Sequence, residues 1–270
     1  MDESSVNSSI IQDLVRPLYR GSGKSPLYSC LHVPVQASKT RGGVVLCNPV
    51  GNEYYYSHQA LRQLATRLAR HGYQVLRFDY FGTGDSIGEE VEAAVERWMV
   101  DISEMIDEVK QLAHCEHVTV VGLRMGAALC WKVVQSRNDV KRVVLWEPVL
   151  DGKAQLEEWR CQQAAHDEAY GYPELVKQTE TLGISLPSSL IAEIESVRLS
   201  AIRPCDKDVL LVANSSDSAI HRVVNDIEKS GAQIVYKKTA DGKFWLETDL
   251  ESLVPGSSLS LIVDWIAELP

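Results

Sequence analysis

Gly122-Leu123-Arg124-Met125-Gly126 places two glycines around a central residue, each two positions from it. The residues before it, 117–121, have the form of a buried strand, and those after it, Ala127-Ala128-Leu129, open a helix. In a strand–turn–helix of the pattern G-x-S-x-G, the tight turn exposes the central side chain at the top of the sheet, where a serine attacks a carbonyl carbon. Here the centre is Arg124. A guanidinium stays protonated and cannot act as a nucleophile. It can bind an oxyanion, because its planar fork of N–H donors matches a carboxylate or phosphate. The main-chain N–H of Met125, another near Gly51, and the positive end of the following helix would converge on the same spot.

Two readings of Arg124 stay open at the level of sequence. In one it faces an open pocket and takes a carboxylate, phosphate or thioester-like ligand group. In the other it pairs with an acid of its own fold, for which Glu53, Glu147, Asp79 and Asp217 all fall at predicted strand ends. A buried arginine is almost never left unpaired, which favours the internal pair.

The elements that must position these residues follow a regular alternation. Residues 15–20 and 25–35 alternate as two opening antiparallel strands. Residues 44–47, 73–78, 117–121, 140–146, 209–213 and 233–238 are short apolar runs of the kind buried in a parallel sheet. Between them, helical spacing predicts helices over 57–70, 92–113, 125–136, 219–229 and 258–269. Strands alternating with helices indicate a doubly wound, mostly parallel sheet. Residues 151–206 break the pattern with two or three helical segments and no convincing strand. They are expected to form a helical cap inserted between a first core segment, 1–150, and a second, 207–270.

Composition narrows the function classes. A net charge of −10 argues against a nucleic-acid or anionic-membrane partner. Cys30, Cys47, Cys115, Cys130, Cys161 and Cys205 form no CxxC pair, so neither a zinc site nor a disulfide framework is signalled. No metal and no cofactor are expected. With no spanning apolar stretch and a polar start, the expected setting is a reducing cytoplasm.

Four stretches in order, 47–54 (Cys-Asn-Pro-Val-Gly-Asn-Glu-Tyr), 77–86 (Arg-Phe-Asp-Tyr-Phe-Gly-Thr-Gly-Asp-Ser), 122–126, and 146–152 (Trp-Glu-Pro-Val-Leu-Asp-Gly), resemble the α/β-hydrolase superfamily. More narrowly they are similar to its serine-aminopeptidase-type group, which includes exosortase-associated hydrolases. The resemblance implies an α/β-hydrolase fold over nearly the whole chain; it does not imply activity. A working member needs serine, acid and histidine in that order. Arg124 stands in the first place. Asp217, after the strand at 209–213, matches the second. The loop after the last strand, 239–247, should hold the third and has no histidine; His221 lies one turn along a helix instead. Since triad members act as a unit, losing two removes most of the catalysis.

Lesser candidates carry blander readings. Cys47 ends a strand as a buried structural thiol. Ser57 is expected to cap a helix, and His58 to pack or face solvent while within reach of the pocket. At least one of Tyr54, Tyr55 and Tyr56 is expected to line the pocket and the others to pack under the cap. Asp85 and Ser86 are expected in a turn, and Trp245 as a bulky plug beside the missing histidine.

The predicted site is therefore Arg124, Met125, Gly51, Asn52, Tyr54 and Trp245, with Asp217, Glu53 and Glu147 as candidate acids. The reading that follows is a non-hydrolytic homologue that binds an anionic or acyl ligand, or an acyl carrier protein. Its alternatives are an unorthodox biosynthetic enzyme (acyl transfer, cyclase or lyase) or a hydrolase using other pocket residues, and a structural or assembly protein, either able to oligomerise.

Overall fold

The computed structural model describes residues 14–21, 25–34, 40–170, 180–181, 184–200, 203–246 and 254–268. Eight strands form one sheet: β1 (Leu14–Arg20), β2 (Leu27–Val33), β3 (Gly42–Cys47), β4 (Tyr73–Phe78), β5 (Val118–Leu123), β6 (Val140–Trp146), β9 (Asp208–Ala213) and β10 (Gln233–Lys238). Their spatial order is β1-β2-β4-β3-β5-β6-β9-β10. β1 and β2 run antiparallel, β2 meets β4 antiparallel, and every pair from β4 to β10 is parallel. The swap of β3 and β4 follows from right-handed crossovers: the helix after β3 turns the chain to one edge, and the helix after β4 returns it to the other.

β3 and β5 are buried along their whole length, as helices on both faces demand. On one face α1 (Asn52–Arg70) and α7 (Gly256–Glu268) cover Val44, Leu46, Val75, Val121, Val144 and Leu210. On the other, α2 (Val95–Ala113), α3 (Met125–Val134) and α6 (Ser218–Lys229) cover the opposite set, Val45, Leu76, Val120, Val143, Leu145 and Val209. Period-two alternation within each strand sorts the side chains between these two cores.

Between β6 and β9 lie α4 (Gly152–Tyr170), a short hairpin of β7 (Glu180–Thr181) and β8 (Ile184–Ser185), and α5 (Ser188–Ser196). The hairpin corrects the expectation of a strandless segment; two residues per strand are too few to show a period. The predicted break at 171–173 and the frayed start at 1–13 lie outside the described residues.

Two boundaries also differ from expectation. α1 begins at Asn52, five residues before Ser57, because Gly51 turns the chain and Glu53 supplies the acidic first turn. Ser57 is therefore no cap: it is fully buried inside α1 and its Oγ donates to Glu53 O at 2.7 Å. Tyr54, Tyr55 and Tyr56 are helical, so they fan around the axis. Tyr55 is 75% exposed, with Tyr56 edge-on against it, which corrects the expectation that both pack under the cap. α2 starts at Val95 after a 3-10 turn, Glu90–Glu92. No described helix is long and apolar enough to cross a membrane.

Candidate functional site

The strand–turn–helix at Arg124 keeps the backbone of a nucleophile elbow. Arg124 sits at φ 54°, ψ −121°, a region costly for a residue with a side chain. Four main-chain bonds hold it there: its N–H donates to Trp146 O at 3.0 Å, and its carbonyl accepts from Ala127 N at 3.0 Å, Val149 N at 3.2 Å and Ala128 N at 3.4 Å. The flanking glycines are required by packing. A Cβ on Gly122 would lie 2.4 Å from Ala127 Cα, and one on Gly126 would lie 2.2 Å from Asn48 O.

The side chain answers the question left open by sequence. Arg124 is 8% exposed, and its Nε and Nη2 are engaged by groups of the same chain. Nε lies 3.2 Å from both carboxylate oxygens of Glu53, and Nη2 donates to Glu53 Oε1 at 2.9 Å. Nη2 also reaches Gln155 Oε1 at 2.7 Å and Glu158 Oε2 at 2.9 Å. Gln155 Nε2 returns to Glu53 Oε1 at 3.0 Å, and Lys243 Nζ reaches Glu158 Oε1 at 3.3 Å. Two cations and two carboxylates thus close on themselves. Burial alone would pull the guanidinium pKa down; the charge and hydrogen bonds of Glu53, then Glu158, outweigh it and raise it. The expectation of an anion-seeking guanidinium is corrected accordingly. An anion at Nε or Nη2 would have to displace a carboxylate already in bidentate contact.

Trp245 is a plug, as expected. It is 2% exposed, and its ring centroid lies 4.7 Å from Arg124 Cζ, within cation–π range. Phe244 and Trp146 continue the aromatic stack. Glu53, Gln155, Glu158 and Trp245 surround the guanidinium; none is an imidazole, and both carboxylates are held by Arg124. His221 packs on α6 against Tyr236.

The other predicted acids have separate roles. Asp217 is the N-cap of α6: Oδ1 accepts from Ala219 N at 2.9 Å and Ile220 N at 3.0 Å. Those bonds, Ile220's the largest, hold its carboxyl below the usual range. Asp217→Ala is expected to cost about 1 kcal/mol, the loss of one cap, read as a shifted urea midpoint. An unchanged midpoint would return Asp217 to the list of candidate acids.

Glu147 ends β6 at φ 45° and is 6% exposed. Its Oε1 accepts from Asn214 N at 2.6 Å. Burial pushes its carboxyl up to about 7, against the opposing pull of the Asn214 N–H and of Arg124. Cys47 is a buried thiol beside Cys130, its pKa pushed well up by burial. Each of the six cysteines is free. Asp85 and Ser86 form the expected turn around Asp79.

Beside the elbow, beneath α4 and α5, lies a cavity of about 370 Å³. Gly51 and Tyr54 line it, as predicted for the pocket, together with Val50, Trp98, Trp159 and Leu190. Arg124, Met125, Asn52 and Trp245 do not line it: Met125 is fully buried in the core, and Asn52 opens α1. Sequence reading missed Gln155, Glu158 and Trp159. They share a face of α4 at i, i+3, i+4, yet nothing local marks that face as the one turned to the elbow.

Sheet order, crossover pattern and elbow together define an α/β-hydrolase fold. The chain belongs to the serine aminopeptidase S33 family, whose model matches residues 38–205. Among solved structures it is similar to an esterase from Pyrococcus furiosus, at TM-score 0.66 and 11% identity over 95% of this chain and 91% of that one. It is also similar to the Butyrivibrio proteoclasticus protein Est1E with ferulic acid bound, at TM-score 0.62 and 15% identity over 93% and 96%. A third is the thioesterase domain from the curacin biosynthetic pathway, at TM-score 0.60 and 15% identity over 93% and 100%. At these identities the likeness is one of fold. No curated protein matches the chain.

Proposed function

We propose that this chain is a non-hydrolytic member of its family that holds an acyl or similar apolar group in the cavity beneath the cap. The observation that carries the reading is the closed network at the elbow. The position of the nucleophile is filled by a guanidinium that Glu53, Gln155 and Glu158 already satisfy, and Trp245 stacks where a base would stand. Such a centre has no serine or cysteine nucleophile and no imidazole base, and its two carboxylates are tied into the ion-pair network. The network also fastens α4 to the elbow, which turns a former reaction centre into a clamp for the cap. The cavity walls, largely Val50, Trp98, Trp159, Ile184, Leu190 and Ile194, favour an apolar occupant. An acyl group delivered by a carrier protein fits that chemistry as well as a free one.

The reading as an unorthodox enzyme has less support. It needs an acid or base facing the occupant; Glu147, the carboxyl that titrates near neutrality, is not among the cavity's lining residues, and the carboxylate that is, Glu90, is exposed. Oligomerisation stays compatible with either reading.

Short-chain nitrophenyl esters are expected to turn over at the buffer rate, with no labelling by a fluorophosphonate probe, in the wild type and in Arg124→Ser alike. Turnover or labelling by the wild type ends the non-hydrolytic reading. A fluorescent medium-chain acyl probe is expected to bind saturably, and Leu190→Trp, which fills the cavity, is expected to abolish that binding. Equal binding by the variant, or none by the wild type, ends the assignment of the cavity.

A further inference from the structure

A second cavity, of about 270 Å³, lies across Tyr54 and Asn48 from the first, between the start of α1, β2 and the end of β4. Its lining holds two buried charged groups, Arg77 on β4 at 9% exposed and Asp79 at 6%. Unlike Arg124, this guanidinium has no carboxylate within salt-bridge distance among the described residues. Its Nε donates to His32 Nε2 at 3.2 Å, and its Nη1 lies 3.3 Å from His58 Nε2. Nη2 donates to no group among the described residues. Burial first, then Arg77, holds His58 below the usual imidazole range. A whole positive charge is therefore buried against imidazole nitrogens.

Asp79, two residues along, offsets it only in part and forms no salt bridge with it. Tyr54 Oη donates to Oδ1 at 2.6 Å and Asp85 N donates to Oδ2 at 3.0 Å, so both oxygens are already engaged. Asp85 itself is exposed and screened by solvent. Burial, ahead of the opposing pull of Cys30, Tyr54 and Asp79, pulls Arg77 below its usual range, as expected of a cation without a salt-bridge partner. A buried charge is retained when something compensates it. Arg62, exposed on α1, lines the same cavity and adds a second guanidinium. Tyr28 Oη accepts from Cys30 Sγ at 3.5 Å and keeps its own proton to donate.

We infer that this cavity is a binding site for a small oxyanion, the carboxylate or phosphate group of a small molecule, gripped by Arg77 and Arg62 with the Tyr28 hydroxyl. Two guanidinium forks and the Tyr28 hydroxyl can donate to such a guest; of the carboxylates on the same wall, Asp79 has both oxygens hydrogen-bonded and Asp85 is exposed. The inference stands apart from the acyl cavity and from the silence of the elbow.

The test titrates the whole chain with inorganic phosphate and, separately, acetate, against sodium chloride at matched ionic strength, following the melting temperature and binding heat. At least one oxyanion is expected to stabilise the protein saturably beyond chloride, and the stronger of the two names the ligand group. Arg62→Ala, at an exposed position, is expected to fold normally and to weaken that binding roughly fivefold or more, the loss of one charge-assisted contact. Arg77→Gln is expected to abolish it. No saturable effect beyond chloride with either anion would overturn the site. So would wild-type affinity in Arg62→Ala, which decides the matter even should Arg77→Gln fail to fold.

Discussion

Arg124→Met and Glu53→Gln are each expected to destabilise the fold by about 3–5 kcal/mol, and the double variant to recover most of that loss. Each single change leaves one buried charge without its bidentate partner. Arg124→Met is the harsher, since Glu53 is 1% exposed and would keep only Gln155 Nε2 as a side-chain donor. Glu53→Gln falls toward the lower end, because Glu158 still reaches Arg124 Nη2 at 2.9 Å. Removing both charges leaves a neutral, well-packed elbow, and buried ion pairs replaced by apolar groups of similar volume are often neutral or better. Urea unfolding of the four proteins closes a double-mutant cycle with an expected coupling of roughly 2 kcal/mol or more. Additive losses would mean that the network is not the clamp described above.

Glu147→Gln is expected to make stability less dependent on pH, with a difference of about 3 kcal/mol between acid and alkaline ends. The folded carboxyl titrates at about 7, while the unfolded chain keeps the ordinary value of 4.5. Between those values the native state holds a proton that the unfolded state has released. The group's stabilising contribution is thus complete below 4.5 and is lost as pH rises through 7. His58, held below its ordinary value, works the other way and loses stability as pH falls, so the wild-type profile alone mixes the two. The difference between variant and wild type isolates Glu147: little near pH 5, with the variant the more stable near pH 8. Glutamine keeps an oxygen for Asn214 N, so the bond that anchors β9 to β6 survives. Parallel profiles for the two proteins would show that Glu147 is ionised throughout.

Much of the fold was legible because its signals are local. The apolar runs of β3, β4, β5, β6 and β9 and the glycines at 122 and 126 each announce their element within a few residues. Errors fell where local rules compete. Ser57 looks like a cap, yet Gly51 turns the chain first and α1 is already running when Ser57 is reached. The hairpin at Glu180–Thr181 and Ile184–Ser185 is too short to carry a period. Trp245 was legible as a bulky residue in place of histidine; that it stacks on a guanidinium was not.

The chain's own residues decided that an elbow exists and that it holds no nucleophile, since both follow from which side chain stands between Gly122 and Gly126 and from the missing histidine at 239–247. Only the folded molecule decided what Arg124 does, because its partners Glu53, Gln155 and Glu158 lie 71, 31 and 34 residues away along the chain. Pairing at that separation is chosen by how α1 and α4 dock on the sheet, a matter of buried area and shape, and no short window of sequence encodes it. The same holds for Arg77: its burial and its imidazole neighbours exist only once β2, β4 and α1 have met.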